Sequence, residues 1–446
     1  MVDADSRPLA GIRVLAHVVG IAGPIASRVF AWFGAEVIRV ESRVNPDLIR
    51  RVGSRWLGPD THGPAVWTDS SPLLNELWGG VRSVGLNLKD AEAFAVAERL
   101  VATCDVFLSN FSAPALRDSG LGYEALAALR PDLVYVVLPG FGATEGTPYH
   151  DYLAWGPNQA PLVGLDELTG WPDRPPAAIA SIALPDYTNG LTGVVGALAA
   201  LEHRDRTGEG QRVEVAQFEA TVALLGDILV DHDRTGHVPG RAGNRGGWAA
   251  PEGVYPCRGR DRWVAITVED DAGWAALCRV AVRPEWLADE RFATAEGRLA
   301  HLDELDALIA GWTAAHTDAE IAEWLQAAAV AAAAVVDNAA LLADRHLASR
   351  GFWGAPPNTR FGPDLTTSIP INLAATPGGI ERGAPSFGED NEEVLVGLAG
   401  CTPEQVAAMA ERGAVWPMGD PAVRLRRPYL DWVPQLLPEL DWGPRS

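Results

Sequence analysis

A chain of 446 residues is too long for one ordinary hydrophobic core and implies two or three domains. With 48% hydrophobic and 21% charged residues it has the composition of a soluble globular protein. Its net charge of −22 argues against nucleic acid or an anionic membrane as a general partner, but leaves room for one local basic pocket.

Residues 12–19 are mostly apolar, broken by Arg13 and His17, and predict a largely buried parallel strand. A turn over 20–23 follows, and Pro24 suits the first turn of a helix running to Phe33. Gly34 stops that helix and residues 35–40 form the next strand, completing a βαβ unit. The pattern repeats with strands at 82–88, 105–109 and 133–138 and helices at 91–103 and 123–129. Such alternation predicts an α/β fold with a mostly parallel sheet between helical layers. Residues 145–176, rich in Gly, Pro and Trp, read as a long loop system. A helix over 187–203, a strand over 211–215 and a helix to about 230 come next. Residues 232–253 read as a linker, followed by strands near 253–256 and 263–267 and helices to about 330. Residues 331–336 fit either a strand returning to the first domain or a helix, and the segment from Trp416 is a Pro- and Trp-rich tail.

Cys104, Cys257, Cys278 and Cys401 form no paired motif and read as reduced thiols of a cytoplasmic protein. The charged N-terminus has no apolar signal core, and no stretch reaches the roughly 20 apolar residues of a membrane span.

The first βαβ unit invites a dinucleotide reading, with Glu41 placed to bind a ribose. Its turn reads Gly20-Ile21-Ala22-Gly23-Pro24, however, which lacks the glycine spacing that brings backbone close to a pyrophosphate. Asp186 opens a predicted helix after Pro185. An aspartate there is commonly an N-cap. The same position also stabilises carboxylate charge, and an ionised carboxylate can attack a carbonyl. His17, His150 and His203 lie near these motifs; His150, in the loop region, is a weak acid/base candidate. No zinc-hydrolase or serine-hydrolase motif is present, and no metal is expected. Lys89, Asn110 and Phe111 fall at the carboxyl ends of predicted parallel strands, where open α/β sheets bind ligands.

Taken together and in order, these motifs resemble the family III CoA-transferases, the L-carnitine dehydratase and bile acid-inducible protein F type. Pro8-Leu9-Ala10-Gly11-Ile12-Arg13-Val14-Leu15, Ala22-Gly23-Pro24 and Phe33-Gly34-Ala35-Glu36-Val37-Ile38-Arg39-Val40-Glu41 resemble the family's opening. Arg82-Ser83-Val84-Gly85-Leu86-Asn87-Leu88-Lys89, Asp105-Val106-Phe107-Leu108-Ser109-Asn110-Phe111 and Gly120-Leu121-Gly122-Tyr123 follow. The most specific part is Asp186-Tyr187-Thr188-Asn189-Gly190, then Gly196-Ala197-Leu198-Ala199-Ala200-Leu201, then Thr207-Gly208-Glu209-Gly210-Gln211. Phe387-Gly388-Glu389-Asp390-Asn391-Glu392-Glu393-Val394-Leu395 is similar to the closing motif.

The resemblance implies a large Rossmann-like domain built from both chain ends, a smaller α+β domain between, and an interlocked homodimer. The corresponding ranges are 1–228, then 229–332 as linker and small domain, then 333–446 returning to the large domain. It also implies CoA transfer from an acyl-CoA to a carboxylic acid. Asp186 would carry it through a mixed anhydride and an aspartyl-CoA thioester, with coenzyme A as substrate and no permanently bound cofactor. Arg39, Leu88, Lys89, Asn110 and Phe111 would help hold the CoA, with Arg43 and Arg117 as substitutes for arginines displaced by one position. Gly243, Gly246 and Gly247 fall where some transferases carry a mobile loop over the aspartate. Ile21 stands where formyl-CoA transferases have glutamine, which disfavours formyl or oxalyl transfer. The alternatives are a 2-methylacyl-CoA racemase on the same fold, which needs a second base beside Asp186, and a non-catalytic CoA-binding paralogue.

Overall fold

The computed structural model describes residues 7–44, 46–50, 71–177, 183–357 and 365–418. The start of the chain and most of the Pro- and Trp-rich tail lie outside the described residues. The chain divides into two compact units. The first takes Met1–Leu165, Ala178–His237 and Arg345–Ser446; the second takes Asp166–Ala177 and Val238–Asp344.

The first unit begins β1 (Arg13–His17), α1 (Ala22–Trp32), β2 (Glu36–Glu41), α2 (Pro72–Trp78) and β3 (Arg82–Gly85). It continues with α3 (Ala91–Ala102), β4 (Val106–Ser109), α4 (Ala113–Asp118), α5 (Tyr123–Leu129) and β5 (Val134–Val137). Then come α6 (Gly156–Leu162), α8 (Leu184–Thr207), β6 (Gln211–Glu214), α9 (Gln217–Val222) and α10 (Gly226–Thr235), while the single turn α7 (Leu165–Leu168) falls mostly in the second unit. The six strands are all parallel, in the order β3-β2-β1-β4-β5-β6. Successive residues of a strand face opposite sides. Val14 and Ala16 accordingly join one core, with Ile25, Phe30, Val194 and Ala197, while Leu15 joins the other, with Val96, Leu100 and Leu395. Both faces are covered, which is why the central strands β4 and β5 read as near-continuous apolar runs.

The segment 145–176 is not all loop: α6 and α7 lie within it. Its prolines mask the helix, because Pro157 occupies the first turn, where a missing N–H costs nothing, and Pro161 falls near the end. The expected linker also begins inside α10.

The closing motif completes the sheet edge. Ser83 N–H donates to the Asp390 carboxylate at 2.7 Å, and Gly85 N–H donates to Asn391 Oδ1 at 2.8 Å. Asn391 Nδ2 donates to the Trp416 carbonyl, and Trp416 N–H donates to the Gly85 carbonyl. The edge strand β3 is therefore covered rather than left as an open template for pairing.

The second unit carries an antiparallel sheet in the order β7-β8-β9, with β7 (Glu252–Pro256), β8 (Trp263–Thr267) and β9 (Ala331–Ala334). The alanine run is thus a strand, but it pairs with β8 in its own unit instead of returning to the parallel sheet. Trp274, Phe292, Leu305, Ile309, Ile321 and Leu325 fill the core between sheet and helices. All four cysteines are buried free thiols.

Candidate active site

The strand order reverses between β1 and β4, on either side of which the connections run in opposite directions. Open α/β sheets bind ligands at the carboxyl ends of the strands flanking such a point. Asn110, just past β4, clamps it shut. Its Oδ1 accepts from Val19 N–H at 3.0 Å, and its Nδ2 donates to the Val19 carbonyl at 2.7 Å. Next to it Phe111 stacks on His17, with ring centroids 4.5 Å apart. Burial pushes the His17 imidazole down to about 4, so the ring is neutral at physiological pH.

Asp186 lies in the first turn of α8. That helix starts at Leu184, with Ala183 as N-cap and no side-chain cap bond, so Asp186 is its third residue and not its cap. Pro185 inside the first turn is what shifts the start upstream of the expected position. The carboxylate is free for other partners. The Gln217 side chain and Ala22 N–H face it, and both favour its charged form. Burial nonetheless pushes the carboxyl up to about 6, against the opposing pull of those donors. A carboxylate of that basicity is ionised at neutral pH and more nucleophilic than an exposed aspartate.

Three elements close around it. Gly190 of α8 faces the Ala22 carbonyl so closely that an added Cβ would come within 2.4 Å, which lets α8 and the start of α1 touch. Gln217 opens α9; its N–H donates to the Pro139 carbonyl at 2.9 Å, and Phe218 N–H donates to the Gly140 carbonyl at 2.9 Å. These bonds tie the start of α9 to the loop after β5 and bury Gln217 to 5% exposure. Gly156, first residue of α6, lies against the carboxylate itself. A Cβ there would stand 1.8 Å from Asp186 Oδ2. Gly156, Gln217 and Ala22 N–H are not recognisable from the sequence, because each reaches Asp186 from a different element.

The other predicted residues disperse. Arg39 does not face a ligand surface. Its guanidinium is fully buried, paired with Asp47 and with Glu41 at 3.2 Å, and stacked over Trp78 at 3.7 Å. Asp47 in turn accepts from Gly20 N–H at 3.0 Å, so the pair pins the turn after β1. Glu41 is no ribose ligand either. Burial opposes its charge, but Arg39 and Arg50 outweigh that and hold its carboxyl down at about 2, with Ser83 also donating to it. Arg50 makes a two-pronged pair with it at 2.7 and 2.6 Å.

Leu88 packs partly into the second core, while Lys89 and Arg43 are exposed. Arg117 is exposed and ion-paired with Glu145. His150 has its Nε2 4.0 Å from Asp151 Oδ1. In the second unit, Gly243 N–H donates to the Gly170 carbonyl at 2.9 Å, and an added Cβ would meet the Trp171 ring at 2.6 Å. Trp171 is thus a packing partner of that loop. Gly246 N–H donates to Glu252 at 2.6 Å, and Gly247 has a left-handed φ of 78° that favours glycine. Among the described residues no helix is long and apolar enough to cross a membrane, and no three His, Cys, Asp or Glu gather as a metal set.

The sequence profile of CoA-transferase family III matches residues 9–391. The chain is 32% identical over 409 residues to the succinyl-CoA–D-citramalate CoA-transferase of Chloroflexus aurantiacus, covering 92% of this chain and 98% of that one. It is 32% identical over 403 residues to the succinate–glutarate CoA-transferase of Agrobacterium fabrum, covering 89% and 98%. The crystal structure of a CAIB/BAIF family protein from Brucella suis superposes with a TM-score of 0.79 at 28% identity, covering 88% of this chain and 99% of that one.

Proposed function

The chain belongs to CoA-transferase family III and is a CoA-transferase, and we propose that Asp186 is its covalent nucleophile. The observation that carries this reading is a half-buried carboxylate in the first turn of α8, with Gly156 against its Oδ2 and Gln217 and Ala22 N–H facing it. A carboxylate oxygen attacks the donor thioester carbonyl; the C–O bond forms, the C–S bond breaks and CoA thiolate leaves. The thiolate then attacks Cγ of Asp186 in the mixed anhydride, expelling the donor acid as carboxylate and leaving an aspartyl-CoA thioester. An acceptor carboxylate attacks the same Cγ and expels the thiolate. The thiolate finally attacks the acceptor's acyl carbon, giving the new acyl-CoA and free Asp186. No net proton moves, so the reaction needs placed donors more than an acid/base pair.

Lys89, Arg43 and Arg117 are exposed cations, and Asn110 and Phe111 shape the strand ends at β1 and β4. We assign Lys89 and Arg43 to the CoA phosphates; Arg117 would first have to leave Glu145. A homodimer is the working assembly. Relatives named for succinyl-CoA make that the first donor to try. A racemase needs a second base at the α-carbon, and neither the Gln217 amide, the Ala22 N–H nor Gly156, which face Asp186, is one.

The test is CoA exchange between a panel of acyl-CoAs and free acids, followed by mass spectrometry in deuterated water. New acyl-CoA that depends on an added acid is expected, and Asp186→Ala should abolish it. Deuterium at the α-carbon without exchange would overturn the reading in favour of racemisation, and silence across the panel in favour of a binding paralogue.

A further inference from the structure

Two of the four steps written above attack Cγ of Asp186 itself. In both, negative charge collects on an oxygen that belongs to the protein, not to the substrate. We propose that the side-chain amide of Gln217 is an oxyanion donor for these two tetrahedral states, an inference that rests on Asp186 being the nucleophile.

The placement supports it. The Gln217 side chain faces the Asp186 carboxylate in the resting protein and favours its charged form. It is almost wholly buried, and its backbone is tied to the loop after β5 through the Pro139 carbonyl. A donor held there needs no reorganisation when charge builds up, and a dry setting makes each such bond worth more than in water. Ala22 N–H, at the start of α1, supplies the second donor to the same group. Two donors from separate elements converging on one carboxyl form the arrangement that stabilises an oxyanion. Gly156 closes another side, where a Cβ would meet Oδ2, so the carboxyl has little freedom to turn away from them.

Gln217 does not serve all four steps equally. When Asp186 attacks the donor thioester, charge leaves its own oxygens and builds on the substrate's. Loss of the amide should therefore slow loading and unloading of CoA on Asp186, and leave donor binding alone.

The experiment uses Gln217→Met, which keeps length and volume and removes the donor. Rapid-quench intact mass spectrometry with succinyl-CoA reads the appearance of the covalent CoA adduct, and addition of acceptor acid reads its discharge. Both rates should fall by about 10²–10³, the usual effect of losing one oxyanion donor. The donor KM should stay within about threefold. The acid limb of the rate profile should also move to higher pH, since the amide now favours the ionised carboxyl. Rates within about threefold of the parent, or slow rates with an unmoved acid limb, would overturn the proposal. Should Gln217→Met not fold, Gln217→Glu decides. Its side chain donates only while protonated, so its activity should fall as pH rises through the range where the parent's rises; a parent-like profile would refute the role. If the parent forms no adduct on Asp186, the nucleophile reading fails, and with it this one. An adduct formed at undiminished rate in Gln217→Met defeats only the inference about Gln217.

Discussion

Replacing Gly156 by alanine is the most discriminating small change at the site. One methyl group is added, and the helix gains propensity by roughly 0.5–1 kcal/mol, so the fold should be unharmed. The new Cβ would stand 1.8 Å from Asp186 Oδ2 and 3.0 Å from its Cγ. Carbon and oxygen do not approach that closely, so the carboxylate must move by more than 1 Å. The methyl, on backbone fixed in the first turn of α6, cannot yield instead. A displacement of about 1 Å at a reacting group costs on the order of 10²-fold in rate. Gly156→Ala should therefore lose about 100-fold or more in kcat, with a melting temperature equal to or above the parent's. Steady-state transfer kinetics and a thermal melt on the same preparation measure both. A variant that keeps its fold and more than a third of its activity would show that the reactive carboxylate does not lie against Gly156.

The elevated carboxyl of Asp186 makes two further predictions about pH. Activity per encounter should rise through pH 6 and level off above it, as the carboxylate form accumulates. The same shift costs stability, because the folded protein holds a proton that the unfolded chain releases near 3.8. The penalty is absent below that value, grows between 3.8 and about 6, and is complete above 6, at most about 3 kcal/mol. Asp186→Asn should thus be more stable than the parent at pH 8 and no more stable at pH 3.5; urea titrations at both values check the sign. At the sheet edge, Asn391→Ala removes the partners of Gly85 N–H and the Trp416 carbonyl and should destabilise by about 2–3 kcal/mol without touching the chemistry. Chemical denaturation paired with activity at low denaturant separates the two effects.

Much of the sheet is legible in the sequence because parallel strands buried on both faces leave uninterrupted apolar runs, as at Val14–Leu15–Ala16 and over β5. Asp186 is legible as a charged residue opening a helix, but its exact place in the turn is not, since Pro185 suits the position before a helix as well as the one inside it. Helix α6 hides behind two prolines, and the strand at 331–334 behind alanines whose local preference is helical; pairing with β8 overrides it. Arg39 shows why a cation matched to a family position is weak evidence for a phosphate ligand. Its partners, Asp47 and Trp78, come from parts of the chain whose approach no local pattern records. Gln217 and Gly156 are invisible for the same reason, a glutamine and a glycine in unremarkable surroundings that only the fold brings to one carboxylate.

The central claim, that Asp186 carries the acyl group and then CoA, is tested most directly by trapping. Protein incubated with succinyl-CoA and hydroxylamine, then digested and sequenced by mass spectrometry, should carry a hydroxamate on Asp186, and should carry none when succinyl-CoA is omitted. A hydroxamate on another residue, or turnover that hydroxylamine neither intercepts nor slows, would contradict the account.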